Sequence, residues 1–195
     1  MGKMSLKKKG IFFTFIAITI MTLFLIVFTP QAEISLQKDM QATSARISSI
    51  DNYVNDLETR YFETVLRATT YKAILSLTYY INSTGFFIPN LDSAFSEVML
   101  NGTINNVPID SITNKKIMDN STLTNWSSRK SEAAKDTLNV NTTIILINVT
   151  AFQTKPWDID SMLKINITVK SNVAEWRKTA IISATISIEG LHDPY

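Results

Sequence analysis

Seven Asn-x-Ser/Thr triplets are the most chemically specific motif in this sequence, and none has proline at its middle position. The asparagine amide of such a triplet is the acceptor for N-linked glycans, which belong on an exported surface. The acceptors are Asn82, Asn101, Asn120, Asn125, Asn141, Asn148 and Asn166. Ordinary polar surface explains any single triplet, but seven within 85 residues favour a glycosylated surface protein.

Residues that could support catalysis or metal binding are few. His192 is the single histidine, Asp193 follows it, and the chain has no cysteine. These counts exclude a disulfide framework and a thiolate zinc site, and no G-x-S-x-G elbow or glycine-rich phosphate loop is present. His192 is interpreted as a polar residue in a terminal turn before Pro194. We predict no enzymatic activity, cofactor or metal; an ectoenzyme whose acidic or nucleophilic cluster forms only on folding is the third functional hypothesis.

Three tryptophans offer a different chemistry. Trp126, Trp157 and Trp176 could form a platform on which sugar rings stack. Aromatic side chains more often pack in a protein core, and core packing is the expectation here.

The apolar run from Ile11 to Phe28 contains no charge, glycine or proline. As a helix, its 18 residues would span about 27 Å, close to the hydrocarbon thickness of roughly 30 Å. The hydroxyls of Thr14, Thr19 and Thr22 can bond to the helix's own carbonyls. We therefore predict a transmembrane helix over residues 11–28.

Charge sets the orientation of this predicted span. Four lysines and no acidic residue precede it: Lys3, Lys7, Lys8 and Lys9. Basic flanks stay in the cytoplasm, so we predict a cytoplasmic leader over residues 1–10 and a single-pass protein of the cell membrane with its C-terminal part outside. Without these lysines, 15 basic residues remain against 17 acidic ones, a formal charge of −2. Nucleic-acid surfaces are basic, so we expect a lipid bilayer and no nucleic acid as partner.

Two kinds of processing could act on this segment. A cleaved secretory signal is also basic and then apolar, but its apolar part would be shorter, and no small-x-small motif follows Phe28. A cut between Gly10 and Ile11, in KKKG-IFFTF, would instead remove the leader and retain the apolar helix. Gly10 and Ile11 are therefore the candidate cleavage residues.

A long amphipathic helix is predicted from Gln31 to about Ile81, where the sequence lacks both proline and glycine after Pro30. Its apolar positions recur in steps of three, four and seven residues, which places them on one helical face. They are Met40, Ile47, Ile50, Val54, Leu57, Tyr61, Ala68, Tyr71 and Leu75. We expect this face of a stalk, residues 29–82, to pack on the chain's own sheet, with coiled-coil self-association as the alternative.

Residues 83–195 are predicted to form an extracellular α+β domain. Turn-forming residues at Asn82–Gly85 end the long helix. Further helices are expected at Leu91–Leu100 and Ser121–Leu138, with an irregular surface loop at Asn105–Asn120 between them.

The last third of the sequence changes to a period of two. Leu163–Val169 and Ala180–Ile188 alternate apolar with polar residues, and Ile144–Phe152 is a third strand with a less regular pattern. Three strands with short links predict an antiparallel meander with one face covered by the long helix and the other face open to solvent. Asn148 lies between Ile147 and Val149, so a glycan there requires that its face point outward or lie at a sheet edge.

The order of these parts resembles the type IV pilin-like proteins of archaea: a basic leader ending in Gly10, an apolar helix, its amphipathic continuation and a C-terminal antiparallel sheet. The likeness in motif covers about Lys7 to Phe28. It implies cleavage after Gly10 by a prepilin peptidase, a filament core of bundled N-terminal helices, and glycosylated head domains outside. Many pilins carry glutamate at the fifth residue after the cut, where this chain has Phe15. The ending, Ile186–Tyr195, is also similar to that of archaeal membrane-anchored surface proteins, which implies no particular activity.

The sequence thus predicts a non-enzymatic structural protein of the cell surface, a pilin-like subunit anchored by its N-terminal hydrophobic helix. That helix would also be the contact for a homo-oligomer or filament. A permanently anchored binding module, either an adhesin or a subunit of an envelope complex, is the second hypothesis, and it would use the loops around residues 101–120.

Overall fold

A computed structural model describes the backbone of residues 6–189 and the side chains of residues 13–27 and 38–189. The chain divides into two compact units, Met1–Ser48 and Ser49–Tyr195. The predicted segment boundaries after residues 10, 28 and 82 stay predictions.

The helices are α1 (Leu6–Asp56), α2 (Phe62–Thr84), α3 (Leu91–Asn101), α4 (Ile109–Thr113) and α5 (Leu123–Leu138). The strands are β1 (Thr103–Ile104), β2 (Val107–Pro108), β3 (Asn141–Lys155), β4 (Asp158–Lys170) and β5 (Glu175–Ser187).

The described part of the first unit is helical throughout. Within the described residues of its apolar run, threonine hydroxyls bond back to the helix as predicted. Thr19 donates to the carbonyl of Phe15 at 2.8 Å, and Thr22 donates to that of Ile18 at 2.7 Å. These bonds satisfy the polar groups of an otherwise apolar segment.

All described side chains between residues 13 and 27 are exposed. Ile11, Phe12 and Phe28 of the predicted span lie outside the residues whose side chains are described. Among the described residues, no helix is both long and apolar enough to cross a membrane.

A π-helical turn, Leu57–Tyr61, joins α1 to α2 and changes which helical face is buried. Ile50 and Val54 before this turn and Leu57 at its start are buried, as the apolar stripe predicted. After the turn the stripe is wrong, because a π-turn holds one more residue than an α-turn and rotates every later side chain by one position. The residues buried in α2 are Phe62, Val65, Leu66, Thr69, Thr70, Ala73, Ser76 and Leu77.

The residues that the stripe placed in the core are correspondingly more exposed. Ala68 and Tyr71 are exposed, and Leu75 and Tyr61 are only half-buried. Met40 and Ile47, in the first unit, are exposed as well.

The predicted helix ends are close to the observed ones. Helix α2 continues to Thr84, three residues past the predicted end, and stops where Gly85 takes a left-handed conformation at φ 71°. Helix α3 matches the predicted segment and ends at Gly102, φ 74°. The expected irregular loop over Asn105–Asn120 was wrong in part, because the segment contains strand β2 and helix α4.

The C-terminal sheet is the predicted antiparallel meander, with strand order β3-β4-β5. Its inner face is buried at alternate positions of β4 and β5, which include Leu163, Ile165, Ala180 and Ile182. Its outer face, the side whose residues alternate with these, is open to solvent. The prediction of an α+β chain with a three-stranded antiparallel sheet is therefore confirmed.

Helices cover the inner face of this sheet. Helix α2 packs on β4 and β5, whereas α3 and α5 pack on β3. One hydrophobic core joins the two layers, with Phe62, Leu66 and Val98 from the helices among its fully buried side chains. An ion pair between Glu58 and Lys178 ties the π-turn to β5.

Candidate functional surfaces

All seven acceptor asparagines lie at the surface of the second unit. Five are exposed: Asn82, Asn101, Asn120, Asn141 and Asn148. The other two, Asn125 and Asn166, are partly exposed. The fold therefore leaves each of these asparagines accessible to some degree, and their glycosylation stays a prediction.

A β-bulge decides the orientation of Asn148. In the β3–β4 register, Leu146 pairs with Ile165 and Asn148 pairs with Lys164, so Ile147 is an extra residue on the edge strand. The inward-facing positions switch across this bulge from even to odd numbers, as Thr142 and Val149 show. Asn148 consequently faces solvent, a point that the sequence alternation could not decide.

Asn166 lies on the outer face of the central strand and is held by its neighbour. The hydroxyl of Thr179 donates to Asn166 Oδ1 at 2.7 Å across the β4–β5 pair. This bond fixes the amide oxygen, and the residue as a whole is only partly exposed. Of the sheet acceptors, Asn166 is thus more constrained than Asn148.

A carboxylate organises the β1–β2 turn. Glu97 accepts hydrogen bonds from Thr103 Oγ1 at 2.6 Å and from the backbone amides of Asn106 at 2.7 Å and Asn105 at 3.0 Å. Asn105 and Asn106 both have positive φ, as a tight two-residue hairpin turn requires. The Thr103 hydroxyl first, and then the amide of Asn106, hold the pKa of the Glu97 carboxyl below its usual range.

A second carboxylate organises the segment after α4. Asp110 accepts from the backbone amides of Ile117 and Met118 at 3.1 Å each, and from that of Asp119 at 2.8 Å. Three amide donors on one carboxylate fix a stretch of backbone that has no regular secondary structure. Sequence reasoning missed this arrangement because the acceptor and the donors are seven to nine residues apart.

Three of the candidate acceptor asparagines border one shallow cleft that Asp110 also lines. The cleft has a volume of about 380 Å³, and Asn101, Asn120 and Asn125 all line it, together with Asp110 and Lys116. Glycans on any of the three would cover the surface that the binding-module hypothesis assigned to residues 101–120. The predicted glycans and the predicted partner site therefore compete for one surface.

A second opening, of about 370 Å³, lies between α2, α3 and the β3–β4 end of the sheet. Apolar side chains dominate its lining, which includes Ile74, Ile81, Phe95 and Ile159. Asp92 is the single titratable residue of the lining, so no acid and base converge there.

Acidic and hydroxyl groups meet on the outer face near the β3–β4 turn. Asp160 accepts hydrogen bonds from the hydroxyls of Thr154 and Thr185, the latter at 2.5 Å. These bonds, that of Thr154 first, hold the pKa of the Asp160 carboxyl below its usual range, and Lys155 contributes in the same direction. Asp160 thus stays ionised as a fixed negative charge at this end of the outer face.

The tryptophans do not form one platform. Trp126 and Trp176 pack against the core, as expected, whereas Trp157 is 61% exposed in the β3–β4 turn. Trp176 is the second residue of β5 and lies opposite Val169, whereas Trp157 lies at the other end of the sheet, beside Asp158.

The remaining candidate residues are placed only in part. In the described portion of the chain, no group of three or more His, Cys, Asp or Glu residues could hold a metal ion. His192 and Asp193 lie outside that portion. Gly10 and Ile11 lie within α1, where only the backbone is described.

Comparison with known proteins gives no relative for this chain. No family model matches it, and no curated protein or solved structure is significantly similar to it.

Proposed function

We propose that this protein is a non-enzymatic structural subunit of the cell surface, pilin-like in organisation and anchored in the membrane by the apolar helix at residues 11–28. In this proposal the basic leader stays in the cytoplasm until it is cut after Gly10. The helix then serves as membrane anchor and as the contact between subunits, and the second unit is displayed outside with its glycans.

One observation carries the proposal: the described apolar run exposes nearly every large side chain. Phe15 is 69% exposed and Met21 70%, and neither belongs to a hydrophobic core. Monomeric soluble proteins rarely expose contiguous apolar surface of this extent, because water then orders around it. Lipid chains or neighbouring copies of the same helix would supply the missing cover.

The surface of the second unit supports display outside the cell. None of the seven acceptor asparagines is buried, although the fold buries much of the same unit. Their spread over α2, the cleft and the sheet would let glycans cover several faces of the unit.

Alkaline extraction of membranes tests the anchor. Carbonate at high pH releases peripheral proteins but leaves membrane-spanning chains in the pellet, so the full chain is expected to sediment. The double variant Ile20→Lys with Leu23→Lys should move to the supernatant or be degraded, because each lysine at the centre of a span costs about 3 kcal/mol.

The matched control is Met40→Lys with Ile47→Lys, which changes two exposed apolar residues outside the run. This variant should sediment like the unchanged chain. Release of the unchanged chain by carbonate, or sedimentation of the Ile20/Leu23 variant, would contradict a membrane anchor at residues 11–28.

The second candidate function is a permanently anchored binding module. The cleft bordered by Asn101, Asn120 and Asn125 favours it, because Asp110 holds the lining backbone at Met118 and Asp119 in a fixed shape. Electron microscopy of cells that overexpress the chain separates the two functions. A pilin-like subunit should yield filaments that carry the protein, and a binding module should yield none.

A further inference from the structure

Each Asn-x-Ser/Thr triplet presents two groups to a modifying enzyme, and the fold can expose one without the other. The motif requires serine or threonine at its third position, which indicates that the enzyme contacts this hydroxyl as well as the asparagine amide. An exposed asparagine is therefore not sufficient for modification of the folded chain. The residues at the third position are Thr84, Thr103, Thr122, Ser127, Thr143, Thr150 and Thr168.

Secondary structure decides whether the two groups of a triplet share a face. In a strand, residues two positions apart lie on the same face. In a helix they are about 200° apart, so an asparagine at the surface turns the hydroxyl towards the core. Asn125 in α5 is partly exposed, whereas Ser127 is only 6% exposed and donates to the carbonyl of Leu123 at 2.9 Å.

Three further triplets use their third hydroxyl to stabilise the fold. Thr122 is 5% exposed and caps α5 by accepting from the backbone amide of Asn125 at 3.2 Å. Thr103 is half-buried and donates to Glu97 Oε1 at 2.6 Å. Thr84 is half-buried too, and it donates to a carbonyl one turn earlier in α2 at 2.8 Å. An enzyme could contact these hydroxyls only after the local structure had opened.

The two triplets of β3 present both groups on the outer face of the sheet. All four side chains are exposed: Asn141, Thr143, Asn148 and Thr150. The two asparagines are seven positions apart, an odd number, so a regular strand would turn them to opposite faces. The bulge at Ile147 removes this difference and leaves both triplets facing solvent.

The triplet of the central strand β4 is less open than those of β3. Asn166 and Thr168 lie on one face, but both are only partly exposed, and the Thr179 hydroxyl holds the amide oxygen of Asn166 at 2.7 Å. Strand β4 is paired on both sides, by β3 and by β5, so this triplet could leave the sheet only by breaking two sets of backbone hydrogen bonds.

We propose that the folded chain accepts N-glycans at two of its seven triplets, those of Asn141 and Asn148, and that the other five accept a glycan only before the second unit folds. This inference rests on the glycosylation that belongs to the proposed function. In the transfer, the asparagine Nδ2 forms a bond to C1 of a sugar while the bond from C1 to the phosphate of a lipid-linked oligosaccharide breaks. The lipid phosphate leaves, and the amide gives one proton to a base of the enzyme.

Glycosylation of the purified full chain in vitro tests the proposal. The chain is produced in a host without N-glycosylation, folded in detergent and incubated with an oligosaccharyltransferase and its lipid-linked donor; mass spectrometry then gives the rate at each asparagine. Asn141 and Asn148 should be modified. Asn120 and Asn125 should react slower by about a thousandfold or more, because a folded unit is open in roughly one molecule in a thousand or fewer.

Two variants of the full chain are the controls. Leu66→Asp places a charge at a fully buried position and should unfold the second unit, so Asn120 and Asn125 should then react as fast as Asn148. Thr150→Ala should abolish modification of Asn148 and leave that of Asn141 unchanged, which would show that the enzyme reads the third hydroxyl. Asn120 and Asn148 both belong to triplets that end in threonine, so the type of hydroxyl cannot account for a difference between them.

Either of two results would overturn the proposal. One is modification of Asn120 or Asn125 in the folded chain at the rate seen in Leu66→Asp. The other is no modification of Asn141 or of Asn148 in the folded chain. Because the enzyme and the donor are supplied, neither result depends on the membrane anchor, which carbonate extraction tests separately.

Discussion

Removal of one residue from the π-turn is expected to leave the second unit stable, although deletions inside helices usually disrupt packing. Thr59 is exposed, and its hydroxyl bonds only to the carbonyl of Asn55, at 2.9 Å. Its deletion shortens the turn to an ordinary α-turn, so that Phe62 follows Leu57 by four positions in space. Because four positions is the spacing of one helical face, both buried stretches keep their orientation.

The matched control is deletion of Ala68, a small exposed residue in α2. Each helical residue turns the chain by about 100°, so this deletion must rotate the side chains on one side of it out of the core. The disruption is smaller if the residues between the π-turn and position 68 are the ones that rotate, so that the π-turn becomes an α-turn. This rotation displaces Phe62, Val65 and Leu66, which are all buried. At roughly 1.5–3 kcal/mol for each side chain, the loss is about 5–9 kcal/mol, comparable with the whole stability of a domain.

Urea unfolding of the full chain in detergent, followed by tryptophan fluorescence, measures the difference. Trp126 and Trp176 pack on the core and report its loss. Deletion of Thr59 should change the free energy of unfolding by less than about 1 kcal/mol, as surface changes do. If it destabilised the second unit as much as deletion of Ala68, the π-turn would not be the cause of the shifted helical face.

Three further outcomes are expected. The pKa of Glu97 is lowered in the folded state, so the carboxylate stabilises the fold fully above its ordinary pKa of 4.5 and loses this effect as pH falls through the lower folded pKa. Urea unfolding should therefore show Glu97→Gln less stable than the unchanged chain at pH 7, and the difference in the free energy of unfolding should disappear in acid. In thermal unfolding, Gly85→Ala should lower the stability by about 1 kcal/mol because φ at this position is 71°. Gly102→Ala should lower it more, because the added Cβ would lie 3.1 Å from Thr122 Cγ2. Equal losses of stability in the two variants would contradict this contact. In a host that performs N-glycosylation the chain should exceed its polypeptide mass, and Asn148→Gln should remove the mass of one glycan; an unmodified mass would mean that the triplets are ordinary surface.

The sheet could be predicted from the sequence because its cause is local. Alternation over Leu163–Val169 and Ala180–Ile188 reflects one buried and one solvent-exposed face, and both segments are strands in that orientation. Helix α3 was predictable for a similar reason. Its short apolar pattern lies between a turn before the helix and Gly102 after it, and these two features mark its ends.

The π-turn and the bulge could not be read from the same patterns. Tyr61 and Phe62 are adjacent aromatic residues, and either could continue the stripe after Leu57. Only packing against the rest of the unit decides that Phe62 is fully buried, and Tyr61 instead donates its hydroxyl to the carbonyl of Trp126 at 3.0 Å. Ile147, likewise, fits a strand in either register until β4 is present.

The surface around α4 depends on contacts between residues that are distant in the sequence. Helix α4 is only five residues long, and the segment after it is fixed by the Asp110 carboxylate rather than by a local pattern. The clustering of three candidate acceptor asparagines at one cleft follows from the same fold, because Asn101 and Asn120 lie 19 positions apart in the sequence. Seven triplets indicated an exported surface, but only the fold shows which of them share a face.

Mass spectrometry of the N-terminus of the chain, isolated from its native membrane, tests most directly whether it is a processed pilin-like subunit. A chain cut after Gly10 would begin at Ile11 and would lack all four leader lysines, and this is the expected result. A chain that still begins at Met1 or Gly2 would contradict leader processing and would make the apolar helix a permanent tether.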